Sequence, residues 1–202
     1  MTEKIVLVPG DGIGKEIAES VKAVSAVLTP AIMWVHHEAG AEYYEQHGAL
    51  FEPSLLEDIE HTGVCIKGPT ATPVGTGFRS INVQLRQAFH TNISLRPVHS
   101  LPGVNSRYED VDIVIFRENS EDLYKGVEYM YDRDTAHGIK IISKEASANI
   151  ITASFEYARK HHRHKVTCVH KANIMKLTDG LFLHTFEDIA KQYPDIVSNA
   201  VI

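Results

Sequence analysis

Residues 4–28 read KIVLVPGDGIGKEIAESVKAVSAVL, and this stretch decides how the chain begins to fold. Its first part, Lys4–Pro9, is a short apolar run rich in β-branched residues, which is typical of a buried strand. A glycine-rich turn follows, and apolar residues then recur at helical spacing, at Ile17, Val21, Val24 and Leu28. The sequence therefore predicts a strand, a tight turn and an amphipathic helix.

The turn Gly10-Asp-Gly-Ile-Gly14 is similar at first sight to the phosphate-binding loops of dinucleotide-binding folds. Those loops have the spacing G-x-G-x-x-G, whereas the glycines here alternate with single residues. We therefore interpret this segment as a tight connection between strand and helix, not as a cofactor phosphate site.

The alternation of strand and helix continues beyond residue 28. Ile32–His37 reads as a second strand, Pro53–Glu60 as a short helix and Thr62–Lys67 as a third strand. Strands that alternate with helices form largely parallel sheets. We expect an α/β fold, and 202 residues suffice for one domain or two small ones.

The second half of the chain adds antiparallel features. Apolar runs predict two strands, Asn92–Arg96 and Asp112–Arg117, and then a hairpin with strands Val127–Tyr131 and Ile139–Ile142. A helix over Glu145–Arg159 and a strand at Lys165–His170 are expected to follow. The chain then continues with a helix that Pro194 ends and a strand at Ile196–Ile202; the apolar face of that helix comprises Leu181, Phe182, Phe186 and Ile189. The two hairpin strands flank a polar turn, which favours a hairpin over a βα unit.

A candidate ligand site lies in the stretch KGPTATPVGTGFRSINVQLR, residues 67–86. This stretch is rich in glycine and hydroxyl groups. It contains Arg79 and Arg86, and Arg96 and Arg117 follow it. Guanidinium groups bind carboxylates through pairs of parallel hydrogen bonds, so converging arginines indicate a ligand with more than one carboxylate. General basicity does not explain the cluster, because 20 Lys and Arg stand against 26 Asp and Glu, a net charge of −6.

Ser80 is predicted to be the N-cap of a helix that follows the turn at Gly75 and Gly77. The N-terminus of that helix would offer backbone N–H donors and a positive dipole end to an anion. Asn82 and Arg86 are four residues apart and would share one face of the helix. Together these features predict a pocket for a polycarboxylate.

Composition limits the possible classes of protein. The acidic balance argues against nucleic acid as a main partner. No apolar run approaches the 18 or more residues of a membrane span, and no secretory signal begins the sequence, so we expect a protein of the cytoplasm or of an organelle matrix, with no membrane partner. Cys65 and Cys168 lie far apart in apolar strand-like runs and are interpreted as buried thiols.

Four motifs carry a resemblance to a known family. They are the stretch 67–86, PGDGIG at Pro9–Gly14, RENSEDLY at Arg117–Tyr124 and HKANIM at His170–Met175. In this order they resemble the metal-dependent decarboxylating dehydrogenases of the isocitrate and 3-isopropylmalate type, over nearly the whole chain. The resemblance implies a larger domain with a mostly parallel sheet, begun by residues 1–91, which binds cofactor and substrate. It also implies a smaller α/β domain in residues 92–202, with a β-hairpin clasp at about 122–144.

The same resemblance implies a role for each matching residue. Ser80 and Asn82 resemble the isocitrate branch, in which they meet the third carboxylate of the substrate. The remaining assignments are carboxylate binding by Arg86, Arg96 and Arg117, proton transfer by Tyr124 and Lys171, substrate contact by Asn173, and proximity to the nicotinamide for Lys67, Thr72 and Asn82. In such enzymes the lysine and asparagine that Lys171 and Asn173 match serve the site of the neighbouring subunit.

The resemblance also implies a reaction, a cofactor and an assembly. The leading hypothesis is oxidation of isocitrate to 2-oxoglutarate and CO₂, a step of the tricarboxylic acid cycle, with NAD favoured over NADP and with Mg²⁺ or Mn²⁺. A homodimer or larger oligomer, paired through the hairpin, is expected. The 202 residues resemble the first half to three-fifths of such an enzyme. We expect no metal ligand in this chain and no turnover by it alone.

Two alternatives stay open. The first is a non-catalytic regulatory subunit or a paralogue that binds citrate or isocitrate. The second is a sister dehydrogenase that acts on homoisocitrate, isopropylmalate or tartrate. The presence of Tyr124 and Lys171 favours an enzyme, and Ser80 and Asn82 favour isocitrate.

Overall fold

The computed structural model describes residues 3–29, 31–72 and 80–202. The chain divides between Phe89 and His90 into two compact units, and each is described by itself. The fold is mixed α/β, as the alternation of strands and helices predicts. In the described part of the chain no helix combines the length and the apolar character that crossing a membrane requires.

The first unit contains a three-stranded parallel sheet in the order β2–β1–β3. Its strands are β1 (Glu3–Val8), β2 (Ile32–His36) and β3 (Cys65–Lys67), and its helices are α1 (Gly14–Leu28), α2 (Ala41–His47), α3 (Leu55–Thr62) and α4 (Ile81–Ala88). The central strand pairs on both sides, since Val6 lies opposite both Val35 and Cys65. The core of this unit comprises Val6, Val8, Ala39, Leu55, Ile59 and Ile81.

Two details of this unit differ from the sequence prediction. Thr62 was predicted to begin β3, but it belongs to α3, where its hydroxyl donates to the carbonyl of Asp58 at 2.8 Å. Gly63, in a left-handed conformation with φ of 70°, then ends the helix. Helix α2 was not predicted, because its seven residues contain none that is buried and so no apolar periodicity.

Helix α1 has the predicted position, but its apolar face is largely uncovered. Only Gly14 and Ala18 are buried, whereas Val24 is 58% exposed and Leu28 is 76% exposed. The amphipathic pattern therefore predicted the helix correctly, while nothing in the described residues buries most of its face.

The second unit contains an antiparallel pair, β4 (Ile93–His99) with β5 (Asp112–Glu118), and a parallel pair, β8 (Lys165–Val169) with β9 (Val197–Val201). Helices α5 (Lys144–Lys160) and α6 (Thr178–Ala190) complete it. Phe155 is fully buried at the centre of the core, with ring centroids 4.8 Å from Tyr193 and 5.6 Å from Phe186. Cys168 is a buried free thiol and Cys65 a half-buried one.

The hairpin lies at the predicted place but with a different second strand. It pairs β6 (Glu128–Met130) with β7 (Ala136–Gly138), so the prediction of a strand at Ile139–Ile142 was wrong. The turn closes earlier than expected, because the N–H of Tyr131 donates to the carbonyl of Thr135 at 2.8 Å. The prediction that α6 runs to Pro194 was also wrong, since α6 ends at Ala190.

Candidate functional site

The glycine-rich turn of the first unit packs its backbone directly against residues 68–70. A Cβ atom at Gly10 would lie 2.0 Å from the carbonyl oxygen of Pro69, and one at Gly68 would lie 1.9 Å from that of Pro9. The N–H of Asp11 donates to the carbonyl of Pro69 at 2.8 Å. These glycines are therefore required for a close approach between two backbone segments, which is how the turn fixes the start of the predicted ligand stretch.

Asp11 extends this connection through its side chain. Its carboxylate accepts hydrogen bonds from the backbone N–H groups of Ala41 at 3.0 Å, Glu42 at 3.1 Å and Ala71 at 2.6 Å. Burial raises the pKa of Asp11, but these N–H donors lower it more, and the net result is a pKa below the usual value. Asp11 thus holds the backbone next to Thr72, and the sequence analysis missed it because a carboxylate that binds backbone leaves no spacing pattern.

Lys67 ends β3 and is half-buried. Its ammonium donates to the carbonyl of Gly68 at 2.8 Å and to the hydroxyl of Thr70 at 3.0 Å. Burial lowers the pKa of Lys67, and the positive charge of Arg86 lowers it further. The charge of Arg86 therefore acts on Lys67, and Thr72 is exposed at the end of the described stretch 31–72.

The next three predicted site residues, Ser80, Asn82 and Arg86, belong to helix α4 and its N-cap. Ser80 occupies the N-cap position, as predicted, and its carbonyl accepts hydrogen bonds from Val83 and Gln84. Within the described residues its hydroxyl does not cap the helix. Asn82 is exposed and Arg86, in the last turn, is half-buried. The predicted turn at Gly75 and Gly77, and Arg79, lie outside the described residues.

In the second unit the β4–β5 pair places two of the arginines together. Arg117 lies directly opposite Ser94, and Arg96 is two residues beyond Ser94 on the same strand. Because side chains alternate between the two faces of a strand, Ser94, Arg96 and Arg117 share one face. Arg96 also donates from Nε to the hydroxyl of Ser94 at 3.1 Å. The opposite face packs inward, where Phe116 contacts the ring of Tyr157 on α5.

Tyr124 joins the arginine face. Nη2 of Arg117 donates to its hydroxyl at 2.6 Å, and the guanidinium carbon lies 5.1 Å from the centre of its ring. Tyr124 belongs to a 3₁₀ turn, Leu123–Lys125, whose first N–H is capped by the carboxylate of Asp122. The structure therefore brings Arg96, Arg117 and Tyr124 together. All three are exposed, and they lie on the side of the β4–β5 pair that faces away from α5.

Lys171 and Asn173 lie on a loop that follows β8. Both are exposed, and the loop is closed by hydrogen bonds from the N–H groups of Ile174 and Met175 to the carbonyl of Lys171 at 3.0 and 2.8 Å. The N–H of Lys171 donates to the carboxylate of Asp179 on α6 at 2.8 Å. The position after the carboxyl end of a strand is where α/β folds place ligand-binding groups.

Across residues 3–29, 31–72 and 80–202, the structure contains no group of three or more His, Cys, Asp or Glu side chains that could hold a metal ion. The carboxylates of Asp11, Asp122 and Asp179 accept hydrogen bonds from backbone N–H groups, and those of Asp122 and Asp179 also pair with Lys140.

The chain is similar to known proteins over nearly its whole length. The family described as isocitrate/isopropylmalate dehydrogenase matches residues 4–202. A chloroplastic 3-isopropylmalate dehydrogenase of Solanum tuberosum is 41% identical over 98% of this chain and 56% of its own length. A mitochondrial catalytic subunit 5 of NAD isocitrate dehydrogenase from Arabidopsis thaliana is 42% identical over 97% of this chain and 52% of its own length.

The fold of the chain is also similar to that of a solved structure. The crystal structure of isocitrate dehydrogenase from Methylococcus capsulatus superposes with a TM-score of 0.93 at 42% identity, over 99% of this chain and 60% of that one. Other similar proteins are named as a regulatory subunit of NAD isocitrate dehydrogenase and as an NADP isocitrate dehydrogenase. The chain spans about half the length of the curated relatives it matches.

Proposed function

Because the chain belongs to the isocitrate/isopropylmalate dehydrogenase family, we propose that the whole protein oxidises isocitrate to 2-oxoglutarate and CO₂. The observation that carries the choice of substrate is the polar start of α4, where Ser80 stands at the N-cap position and Asn82 is exposed. A helix N-terminus with polar side chains suits a carboxylate, whereas an alkyl substituent would leave those polar groups without partners.

The arginines of the second unit bind the remaining carboxylates of the substrate. Arg96 and Arg117 share one exposed face of the β4–β5 pair, so they can bind a dicarboxylate fragment without rearrangement of the backbone. Preorganised charged donors of this kind add specificity as well as affinity. Arg86 on α4 adds the third guanidinium of the proposed site.

Proton transfer falls to Tyr124 and Lys171. Oxidation of the substrate hydroxyl releases a proton, and loss of CO₂ leaves an enolate that must be protonated at carbon. We assign one of these transfers to Tyr124, whose hydroxyl accepts a hydrogen bond from the Arg117 guanidinium that fixes its orientation. Lys171 is held at the end of β8 by its backbone and presents an exposed amine. Asn173 contacts the substrate from the same loop.

Hydride goes to a nicotinamide cofactor, for which we propose NAD, with NADP as the alternative. Lys67, Thr72 and Asn82 lie near its nicotinamide end in this proposal. Family members require a divalent ion, and we propose Mg²⁺ or Mn²⁺ for the whole protein. The described residues contain no group of three or more His, Cys, Asp or Glu side chains that could hold such an ion.

Relative turnover of the candidate acids tests this proposal. The whole protein is assayed with isocitrate, homoisocitrate, 3-isopropylmalate and tartrate, each with NAD or NADP and with Mg²⁺ or Mn²⁺. The highest kcat/KM is expected for isocitrate with NAD. A higher value for another acid would assign the protein to a sister dehydrogenase, and binding of citrate or isocitrate without turnover would make it a regulatory subunit.

Substitution at Ser80 sharpens the same test. Ser80→Ala is expected to reduce kcat/KM for isocitrate moderately, because one hydrogen bond of about 1 kcal/mol is lost. Ser80→Asp is expected to abolish activity, because it places a negative charge against a substrate carboxylate. Full activity of the aspartate variant would contradict the proposed orientation of the substrate.

We also propose that the protein works as a homodimer or larger oligomer, paired through the β6–β7 hairpin, in the cytoplasm or an organelle matrix as part of the tricarboxylic acid cycle. The hairpin has exposed apolar side chains, including Tyr129 at 51% and Met130 at 61%, and an isolated two-stranded hairpin is marginally stable in water. Sedimentation of the whole protein at micromolar concentration is expected to give a dimer or larger species, and a fully active monomer would contradict the pairing.

A further inference from the structure

Lys140 joins two segments of the second unit that the proposed chemistry uses. It lies between the hairpin and α5, and its ammonium is 2.6 Å from Oδ2 of Asp179 and 3.6 Å from Oδ2 of Asp122. Its side chain is 23% exposed and that of Asp179 is 11% exposed, so the closer pair is mostly removed from water. An ion pair in such surroundings is strongly coupled, because water screens it less than a surface pair.

Each of the two carboxylates has a second task. Asp179 accepts the backbone N–H of Lys171 at Oδ1, at 2.8 Å. Asp122 accepts the backbone N–H of Leu123 at Oδ1, at 2.8 Å, and so begins the turn that contains Tyr124. One ammonium therefore contacts, through one carboxylate each, the loop of Lys171 and the turn of Tyr124.

The local backbone makes this arrangement specific. Asp122 has φ of 62°, in the left-handed region, and its own N–H donates to the carbonyl of Ile141, the neighbour of Lys140. A non-glycine residue holds that conformation only where surrounding contacts determine it. Burial raises the pKa of Asp179, but Lys140 and the N–H of Lys171 bring it below the usual value, so the carboxylate is charged at neutral pH.

We propose that Lys140 is a positioning residue that, through Asp122 and Asp179, fixes Tyr124 and Lys171 in the geometry required for proton transfer. The proposal rests on the proposed function for the roles of those two residues. Lys140 itself contacts neither, so it acts on the orientation of the catalytic groups and not on the binding of substrate.

The test combines kinetics with hydrogen exchange in the whole protein. In Lys140→Met, which keeps the length of the side chain and removes its charge, we expect kcat to fall at least ~10-fold with KM for isocitrate within ~2-fold, because orientation and not binding is lost. Amide exchange in peptides covering 121–127 and 170–176 is expected to accelerate at least ~10-fold, while that in α5 does not change. Lys140→Arg should recover most of both effects.

Two further variants make the outcome unambiguous. Lys191→Met removes an exposed lysine that pairs with Asp188, with 74% of its side chain exposed, and should change neither kinetics nor exchange. Asp179→Asn should reproduce the faster exchange at 170–176 if Lys140→Met fails to fold. Unchanged exchange at both segments in the Lys140 and Asp179 variants would overturn the inference. If the wild-type protein oxidises none of the acids and exchange at both segments is still faster in Lys140→Met than in wild type, the proposed function is overturned and the positioning role of Lys140 is supported.

Discussion

The two units of the chain support their candidate site residues in different ways. In the second unit, Arg96, Arg117 and Tyr124 lie on an antiparallel ribbon whose inner face packs toward α5, and two of them contact each other directly. In the first unit, the site residues follow the ends of parallel strands, where one carboxylate, Asp11, fixes the backbone at three points. Packing therefore organises the candidate residues of the second unit, and backbone hydrogen bonds organise those of the first.

The largest effect on stability is expected in the core of the second unit. Phe155→Ala removes the fully buried ring at the centre of the second core, and we expect the free energy of unfolding to fall by about 3–5 kcal/mol. Urea unfolding followed by circular dichroism measures this change. A loss below about 1.5 kcal/mol would show that this core contributes little to the stability of the second unit.

The next largest effect is expected for one candidate arginine in each unit. Arg117→Ala and Arg86→Ala are each expected to lower kcat/KM for isocitrate by at least ~30-fold, which corresponds to about 2 kcal/mol for a lost charged partner. Arg107→Ala is the matched control, because Arg107 is exposed and contacts only the ring of Tyr108 among the interactions described. Near-wild-type kcat and KM in either site variant would reassign that arginine to the surface.

A smaller effect concerns Asp11 and has a defined pH dependence. The pKa of Asp11 is lowered in the folded protein, so its contribution to stability is present above the unfolded pKa of about 3.9 and is lost as the pH falls through the folded value. Asp11→Asn is expected to cost about 1–2 kcal/mol at pH 7, with the difference from wild type shrinking below pH 4. Unfolding curves between pH 3 and 7 measure it, and a difference that does not vary with pH would contradict the assignment.

The smallest effect is expected on the uncovered face of α1. Val27 is 82% exposed, so Val27→Ala should change the free energy of unfolding by less than about 0.5 kcal/mol. Thermal unfolding of wild type and variant side by side gives the difference. A loss above about 1 kcal/mol would show that this face is covered in the protein under test.

Much of the fold could be predicted because its strands carry their own signal. Apolar β-branched runs identified β1, β2, β5, β8 and β9, and helical periodicity identified α1, α5 and α6. The second hairpin strand was mispredicted because Ala-His-Gly at Ala136–Gly138 has no β-branched or aliphatic run, and its pairing follows from where the turn closes. Helix α2 was missed because none of its seven residues is buried, so it has no apolar periodicity.

The candidate site was predictable only in part, for a physical reason. The arginines and Tyr124 stand in motifs with recognisable spacing, and the structure brings Arg96, Arg117 and Tyr124 together. Asp11, Lys140 and Asp179 act through backbone N–H groups and a mostly buried ion pair between residues 39 positions apart. Such contacts depend on the folded chain and leave no periodic pattern, so no reading of a single sequence would have singled them out.

The bridge through Lys140 has a consequence for an oligomer. If Lys171 serves the site of the neighbouring subunit, as the family resemblance implies, then the turn of Tyr124 belongs to one active site and the loop of Lys171 to the other. A single ammonium then contacts the supports of both sites. Any coupling through this pair equals the change in its free energy when one site is occupied, and by linkage the influence is mutual. The two catalytic centres would communicate through one lysine.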